Sequence, residues 1–229
     1  MIKKSMIAGA VALGCAGVQA ASANLTVTGT ISPEACSISL GGGSSATVDL
    51  GQLKTSAVKA PGATGSGTPV YFAGLGSSQL KVVCASPTAL ALHWIDNKSA
   101  SVIKNSELPQ VNFGLGSSSG KNIGGYGIST TSANFTTTAA GPAIASPIYL
   151  YAPYGTSAWV NNDIQAVSKV FRDGGLFGFA TKNSDTIPAS IVTATIDLQI
   201  MVYVSKSLVD ASASEIKLDG SSTVSLEYL

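Results

Sequence analysis

The side chains able to do chemistry are few, and their spacing does not suit it. The 229 residues include one histidine, His93, and three cysteines, Cys15, Cys36 and Cys84. His93 stands between Leu92 and Trp94 in an alternating run. It reads as a strand residue facing solvent or a polar neighbour, not as a catalytic base. Gly116-Ser117-Ser118-Ser119-Gly120 matches the G-x-S-x-G pattern, with Ser118 as the nominal nucleophile. That pattern works only between a strand and a helix, with the histidine later in the chain. Here it continues a Gly-rich loop, and His93 precedes it. Gly114-Leu115-Gly116 has no third glycine for a dinucleotide fingerprint. Asp96, Asp163, Asp173 and Asp185 lie in turn-like contexts, where acids normally form turns. Two cysteines and one distant histidine cannot complete a tetrahedral metal site. The expectation is no enzyme, no metal and no cofactor.

Composition narrows the classes further. Charged residues are 11% of the chain, and 13 Lys and Arg nearly balance 12 Asp and Glu. A nucleic-acid binder would show a basic excess, which is absent. Apolar types reach 45%, which argues against a disordered chain. An outer-membrane barrel needs aromatic girdles, and two Trp, seven Tyr and six Phe are few for that purpose. A Gly-rich, sparsely charged chain of this kind fits an extracytoplasmic β protein.

Residues 1–20 read as a secretory signal peptide. Lys3 and Lys4 give the positive start, Met6 to Ala16 the apolar run, and Val18-Gln19-Ala20 the small residues before the cut. Ala23 offers a second cut. The apolar run is shorter than the roughly 20 residues of a membrane span. Removal of the leader takes Cys15 with it and leaves Cys36 and Cys84. An exported chain meets an oxidising compartment, so this pair is expected to form a disulfide.

The rest reads as strands. Val192, Ala194, Ile196, Leu198, Ile200, Val202 and Val204 share one face of a long run, with Thr193, Thr195, Asp197, Gln199 and Ser205 on the other. Shorter strands are expected at Thr47–Leu53, Gln79–Ala85, Ala89–Ile95, Val111–Leu115, Gly125–Thr131 and Ile148–Tyr151. Glycine clusters at 41–43, 62–67, 116–120 and 174–175 mark turns. Val160, Ile164, Val167 and Phe171 have helical spacing and predict one short helix. The pattern is that of a single antiparallel β-sandwich.

The two ends carry a more specific signal. Asn24 to Ser32 alternates, with Leu25, Val27, Gly29 and Ile31 on one face and polar residues between. Cys36 follows shortly, then Val48-Asp49-Leu50-Gly51, then Cys84. At the other end Val224, Leu226 and Tyr228 alternate up to Leu229. In this order the features resemble a chaperone–usher fimbrial subunit, a pilin, and most nearly a poorly characterised branch of exported fimbrial-type proteins. The resemblance covers residues 1–55 and 190–229. It departs from many pilins at Gly220, which lies nine residues before the end rather than about fourteen.

The resemblance implies an incomplete immunoglobulin-like sandwich over residues 33–229, preceded by a donor strand in residues 21–32. Leu25, Val27, Gly29 and Ile31 would complete a neighbouring subunit, and Val224, Leu226 and Tyr228 would face a periplasmic chaperone and then an outer-membrane usher. The implied product is a surface fimbria that supports adhesion, with other copies or related subunits as partners, and with a host or surface receptor as a further partner. The competing expectation is a secreted monomeric sandwich that binds carbohydrate or adheres directly. Clustered Tyr149, Tyr151 and Tyr154 would serve that role, unless they pack in the core.

Overall fold

The run Val192–Val204 forms the centre of the structure. The computed structural model describes residues 35–59, 69–104, 108–145, 148–161, 169–213 and 215–229. Its strands are, in chain order, β1 Cys36–Leu40, β2 Val70–Asp96, β3 Phe113–Gly114, β4 Ser117–Ser118, β5 Lys121–Asn122, β6 Gly124–Thr136, β7 Ile144–Ala145, β8 Ile148–Pro153, β9 Val160–Asn161, β10 Lys169–Phe171, β11 Gly175–Ala180, β12 Ser190–Ser205 and β13 Ser222–Tyr228. Two short helices, α1 Thr55–Val58 and α2 Lys206–Ala211, join them. All seven alternate residues of β12 named above are buried, none above 8% exposure. One face of the strand is therefore core, as its period of two requires.

All named pairings are antiparallel, and β2 takes part in two sheets. Its first half pairs with β12 on one edge and with β1 on the other, because both neighbours pair with Leu80–Val83. Outside β12 lies β6, and along the far edge of β6 run β3, β10 and β7. The second half of β2 pairs with β11 and with β13, both through Ala91–Trp94. Beyond β11 come β8 and β9. The first sheet is therefore ordered β1-β2-β12-β6, and the second contains β13-β2-β11-β8. In an immunoglobulin sandwich the corresponding orders are A-B-E-D and C-F-G. Here β13, in the place of F, pairs with β2 alone among the described residues.

Pro87 explains how one strand serves two sheets. Between Thr88 and Val83 the pairing to β12 jumps its register. Proline has no N–H for a ladder and is tolerated at such an irregularity. On either side of it Leu80, Val82 and Cys84, then Leu90, Leu92 and Trp94, point into one core. Aromatic rings fill the core beside the second sheet: Phe171 of β10 contacts Trp94, Phe177 and Tyr149, and Tyr149 contacts Phe179. Asp96 closes the end of β2. Its buried carboxylate accepts from the N–H groups of Lys98 and Gly114, both at 2.8 Å, and burial pushes its pKa up.

The all-β sandwich expected from the alternation is the fold observed. Three local expectations need correction. Gln79–Ala85 and Ala89–Ile95 are not separate strands but parts of the continuous β2. Thr47–Leu53 is not a strand; its alternation half-buries Val48 and Leu50 and leaves Leu53 exposed, and its backbone joins no ladder among the described residues. The predicted helix is absent where it can be seen, since Val160 lies in β9 and Phe171 in β10. Ile164 and Val167 lie outside the described residues. Phe171 is held in a strand because its ring fills the core between Trp94 and Phe177, a tertiary demand that overrides the spacing. The helices form elsewhere, and α2 is capped by Ser205, whose hydroxyl accepts from Leu208 N–H.

Candidate functional site

Cys36 opens β1 directly opposite Cys84 on β2, and the two are joined by a disulfide. The bridge fixes β1 to the edge of the first sheet. Cys36 N–H also donates to Tyr228 Oη at 2.9 Å, so the start of β1 meets the end of β13. From that meeting point the two strands diverge along β2. β1 runs toward Leu40 against the first sheet, and β13 comes from Ser222 against the second. Both are edge strands on one side of the sandwich, while β11 and β12 fill the opposite side.

Between the diverging edges lies a groove of about 640 Å³. One wall is the extended segment 45–51, which follows β1, and the other is 215–222, which leads into β13. The floor is the inner face of the sandwich: Tyr126, Ile128, Leu198, Ile200 and Val202 from the first sheet, Leu115 just after β3 at its edge, and Trp94 from the second. Among the described residues no backbone hydrogen bond joins the two walls. The groove thus lies between two extended backbone segments that make no hydrogen bond to each other, with the apolar floor of the sandwich beneath them.

The first wall is seated by shape. Val48 and Leu50 pack on the core, and they sit over Gly76 and Gly74 on the inner face of β2. A Cβ on Gly76 would come within 2.0 Å of Val48 Cγ1, so only glycine admits this contact. Asp49, between them, turns outward and accepts from Gly51 N–H at 2.8 Å. The second wall is tethered by Asp219, whose N–H donates to Leu115 O and whose carboxylate accepts from Lys98 Nζ at 2.8 Å. The Lys98 hydrogen bond and charge hold that carboxyl below its usual range. Tyr126, beneath this wall, is buried, and desolvation pushes its phenol up to about 12 against the pull of a hydrogen bond with Ser222.

Two buried polar atoms of the lining lack a partner among the described residues: the indole Nε1 of Trp94 and the hydroxyl of Ser78. Trp94 is 2% exposed, with Phe171 at 5.2 Å on one side and Phe113 at 6.3 Å on another.

The site residues expected from sequence fall into three groups. Cys36 and Cys84 are together and bonded. Val224, Leu226 and Tyr228 form one face of β13: Val224 and Leu226 pack against the core, while Tyr228 is half exposed and reaches β1. Leu25, Val27, Gly29 and Ile31 lie outside the described residues, as do residues 1–20. Sequence reasoning missed Trp94 and the glycine pair, and it read Val48 to Gly51 as part of a strand and a motif rather than as a groove wall. Their signal was present, since Gly74-x-Gly76 and Val48-x-Leu50 share one period and face each other.

The residues weighed for chemistry lie elsewhere. Ser118 is in a hairpin of β4 and β5 whose turn, Ser119-Gly120, has φ of 49° and 76°. Two positive φ values in a two-residue loop fit a type I′ turn, which accounts for the serine and glycine. His93 points away from the core, with Nδ1 3.5 Å from Glu227 and its ring stacked 4.1 Å from Tyr154. Tyr149 and Tyr151 face inward on phenylalanines, so of the three tyrosines only Tyr154 is widely exposed. Among the described residues no three His, Cys, Asp or Glu side chains gather into a metal-sized cluster.

No family model matches the chain, and no solved structure matches it. The sequence is similar to protein GltF of Escherichia coli (strain K12), with 26% identity over 227 residues that cover 90% of this chain and 87% of that one.

Proposed function

We propose that this chain is a structural subunit of a surface fimbria, exported through the periplasm and polymerised by donor-strand exchange. A periplasmic chaperone would hold the groove during export, and an outer-membrane usher would direct assembly into a fibre that supports adhesion. The observation that carries this reading is the groove between β1 and β13, whose walls make no hydrogen bond to each other and whose floor is continuous with the core. A sandwich that ends without a strand on that side leaves a sheet edge open, and strand addition by another chain satisfies it. The alternating segment Leu25 to Ile31 has the matching chemistry, with three aliphatic side chains on one face. Burying three such side chains contributes roughly 5–9 kcal/mol as an upper bound.

The test is polymerisation of the full chain and of a variant lacking residues 21–32, both made in a Gram-negative periplasm with a cognate chaperone and usher. The full chain should give SDS-resistant ladders that collapse on heating, and fibres by electron microscopy. The truncated chain should not assemble. Ladders from the truncated chain, or a stable monomer of the full chain without any chaperone, would replace this reading with a self-complete sandwich.

A further inference from the structure

We propose that the outer face of the second sheet carries a glycan-binding shelf, on which Tyr154 and Trp159 stack against a neutral pyranose while Glu227 accepts from its hydroxyls. The site needs neither the groove nor a donor strand, and it goes beyond the structural role proposed above. The strand register places its parts. On that face β13, β2, β11 and β8 present Ser225, His93, Leu176 and Ala152 in one row. The next row begins with Glu227, Ala91 and Gly178. Successive rows lie about 7 Å apart, two residues along a strand. The turn after β8 folds back over both. Tyr154 N–H donates to Gly174 O, and its ring lies on the imidazole of His93, with centroids 4.1 Å and planes 7° apart. His93 is buried beneath it, whereas Tyr154 is 57% exposed, so the ring face away from His93 meets solvent. Trp159, half-buried itself, is seated on the buried side chains of Ala91, Ala152 and Leu176. Gly178 lies at the edge of that seat, with an indole carbon 3.5 Å from where its Cβ would stand. Glu227 reaches across from β13 to within 3.5 Å of His93 Nδ1, and its side chain is 37% exposed at the margin of the shelf.

A single exposed ring on a surface needs no explanation. Two rings held in place beside a carboxylate select a ligand. A pyranose has a face of C–H groups and a rim of hydroxyls. The face matches the apolar, electron-rich face of an aromatic ring, and the hydroxyls match a carboxylate, which only accepts and does so with both oxygens. Hydrogen bonds to an ionised group are roughly twice as strong as neutral ones. Both rings rest on the sheet and leave one side open, which suits a flat sugar. A cation is held best among ring faces that surround it. The charge of Glu227 at the margin repels an acidic sugar. The shelf is also pre-organised: stacking and a backbone bond hold Tyr154, and a seat of small residues holds Trp159, so binding orders little that is free beforehand.

The experiment titrates the full chain with three neutral tetrasaccharides, maltotetraose, cellotetraose and chitotetraose, and with sialyllactose and choline as the acidic and cationic probes. The chain has two tryptophans and Trp94 is buried, so a ligand on the shelf reports through Trp159 fluorescence. At least one neutral sugar should give a saturable change at millimolar concentration, and sialyllactose and choline should not. Calorimetry then gives the affinity of each variant, with the Cys36–Cys84 bond and the urea midpoint reporting its fold. Tyr154→Leu and Trp159→Leu keep the sheet covered, remove one ring each, and should weaken binding about tenfold. Tyr154→Phe keeps the ring and should bind nearly as the parent does. Glu227→Gln should weaken binding about three- to tenfold by removing the charge from the acceptor. No response to any neutral sugar up to tens of millimolar, or undiminished binding by both leucine variants, would overturn the shelf. A loss in Tyr154→Phe as large as in Tyr154→Leu would overturn the stacking. Saturable binding of choline instead would make this a cation site, and equal binding of sialyllactose would remove the role given to Glu227. The SDS-resistant ladder of each variant is read in parallel, so failure of the shelf and failure of donor-strand assembly are separate results.

Discussion

Replacing Cys36 and Cys84 by alanine removes the covalent hold on β1 and tests how the edge of the first sheet is kept. The bridge spans 48 residues of sequence. Closing a loop of that size restricts the unfolded chain by about 4 kcal/mol on the chain-entropy account. β1 has little to compensate. It is five residues long, pairs with β2 alone among the described residues, and keeps its side chains half buried or exposed. Against a total of about 5–15 kcal/mol for a domain, the loss is a large fraction. At about 2–4 °C per kcal/mol for a chain of this length, the midpoint should fall by roughly 8–16 °C. Urea unfolding and calorimetry of the oxidised protein and the double alanine variant give both numbers. A loss below about 1 kcal/mol with an unchanged denaturant slope would refute the reasoning, since it would mean that the ladder and packing of β1 suffice without the bridge.

Three further outcomes follow from particular contacts. Gly76→Val should cost about 1–3 kcal/mol in urea unfolding, because its side chain needs the space that Val48 occupies at 2.0 Å from a Cβ. A smaller Val48→Ala change in the same background should recover part of the loss. Tyr228→Phe removes the acceptor for Cys36 N–H and should cost about 0.5–1 kcal/mol, with the disulfide intact by mass spectrometry. The carboxyl of Asp219 should titrate below the ordinary Asp range by carbon NMR, and Lys98→Met should bring it back up. Its folded-state pKa lies below the unfolded value, so this tether contributes above the ordinary Asp range and is lost as pH falls through the depressed folded value.

What the sequence reveals of this fold depends on whether alternation and pairing coincide. In β12 they do: each buried position from Val192 to Val204 follows from period two, because a central strand with one core face has no other constraint. At Val48 and Leu50 they separate. The alternation predicted a strand, and Val48 and Leu50 pack half buried on the core as it implies, but the partner that would pair with their backbone is not part of the described sandwich. Period two reports only which side chains face in, not whether a neighbour exists. Phe171 shows the opposite failure. Its helical spacing from Val160 is accidental, and the aromatic core around Trp94 decides its state. The groove itself was legible only through its ends. Trp94 reads like any apolar residue in a strand, and its place in the groove lining arises from the second sheet lying across from Ile200.

The edge accounting of β2 explains why the opening falls where it does. A strand of 27 residues presents two long edges. On one edge β12 supplies 16 residues and β11 continues where it stops. On the other edge β1 supplies five residues and β13 seven, and they meet only at Cys36 and Tyr228. The deficit is therefore all on one side, and it is greatest away from that meeting point, where the walls 45–51 and 215–222 stand apart. Natural sheets blunt such an edge with proline, charge or a covering helix. Here the outer rim carries Asp49, Glu215, Lys217 and Asp219, but the floor behind them is aliphatic and continuous with the core. Charge on the rim with hydrocarbon behind it discourages indiscriminate pairing while leaving a specific extended chain a reason to enter. A complementary strand must put aliphatic side chains inward and polar ones outward. Leu25 to Ile31 alternates in that way, with Leu25, Val27 and Ile31 on one face.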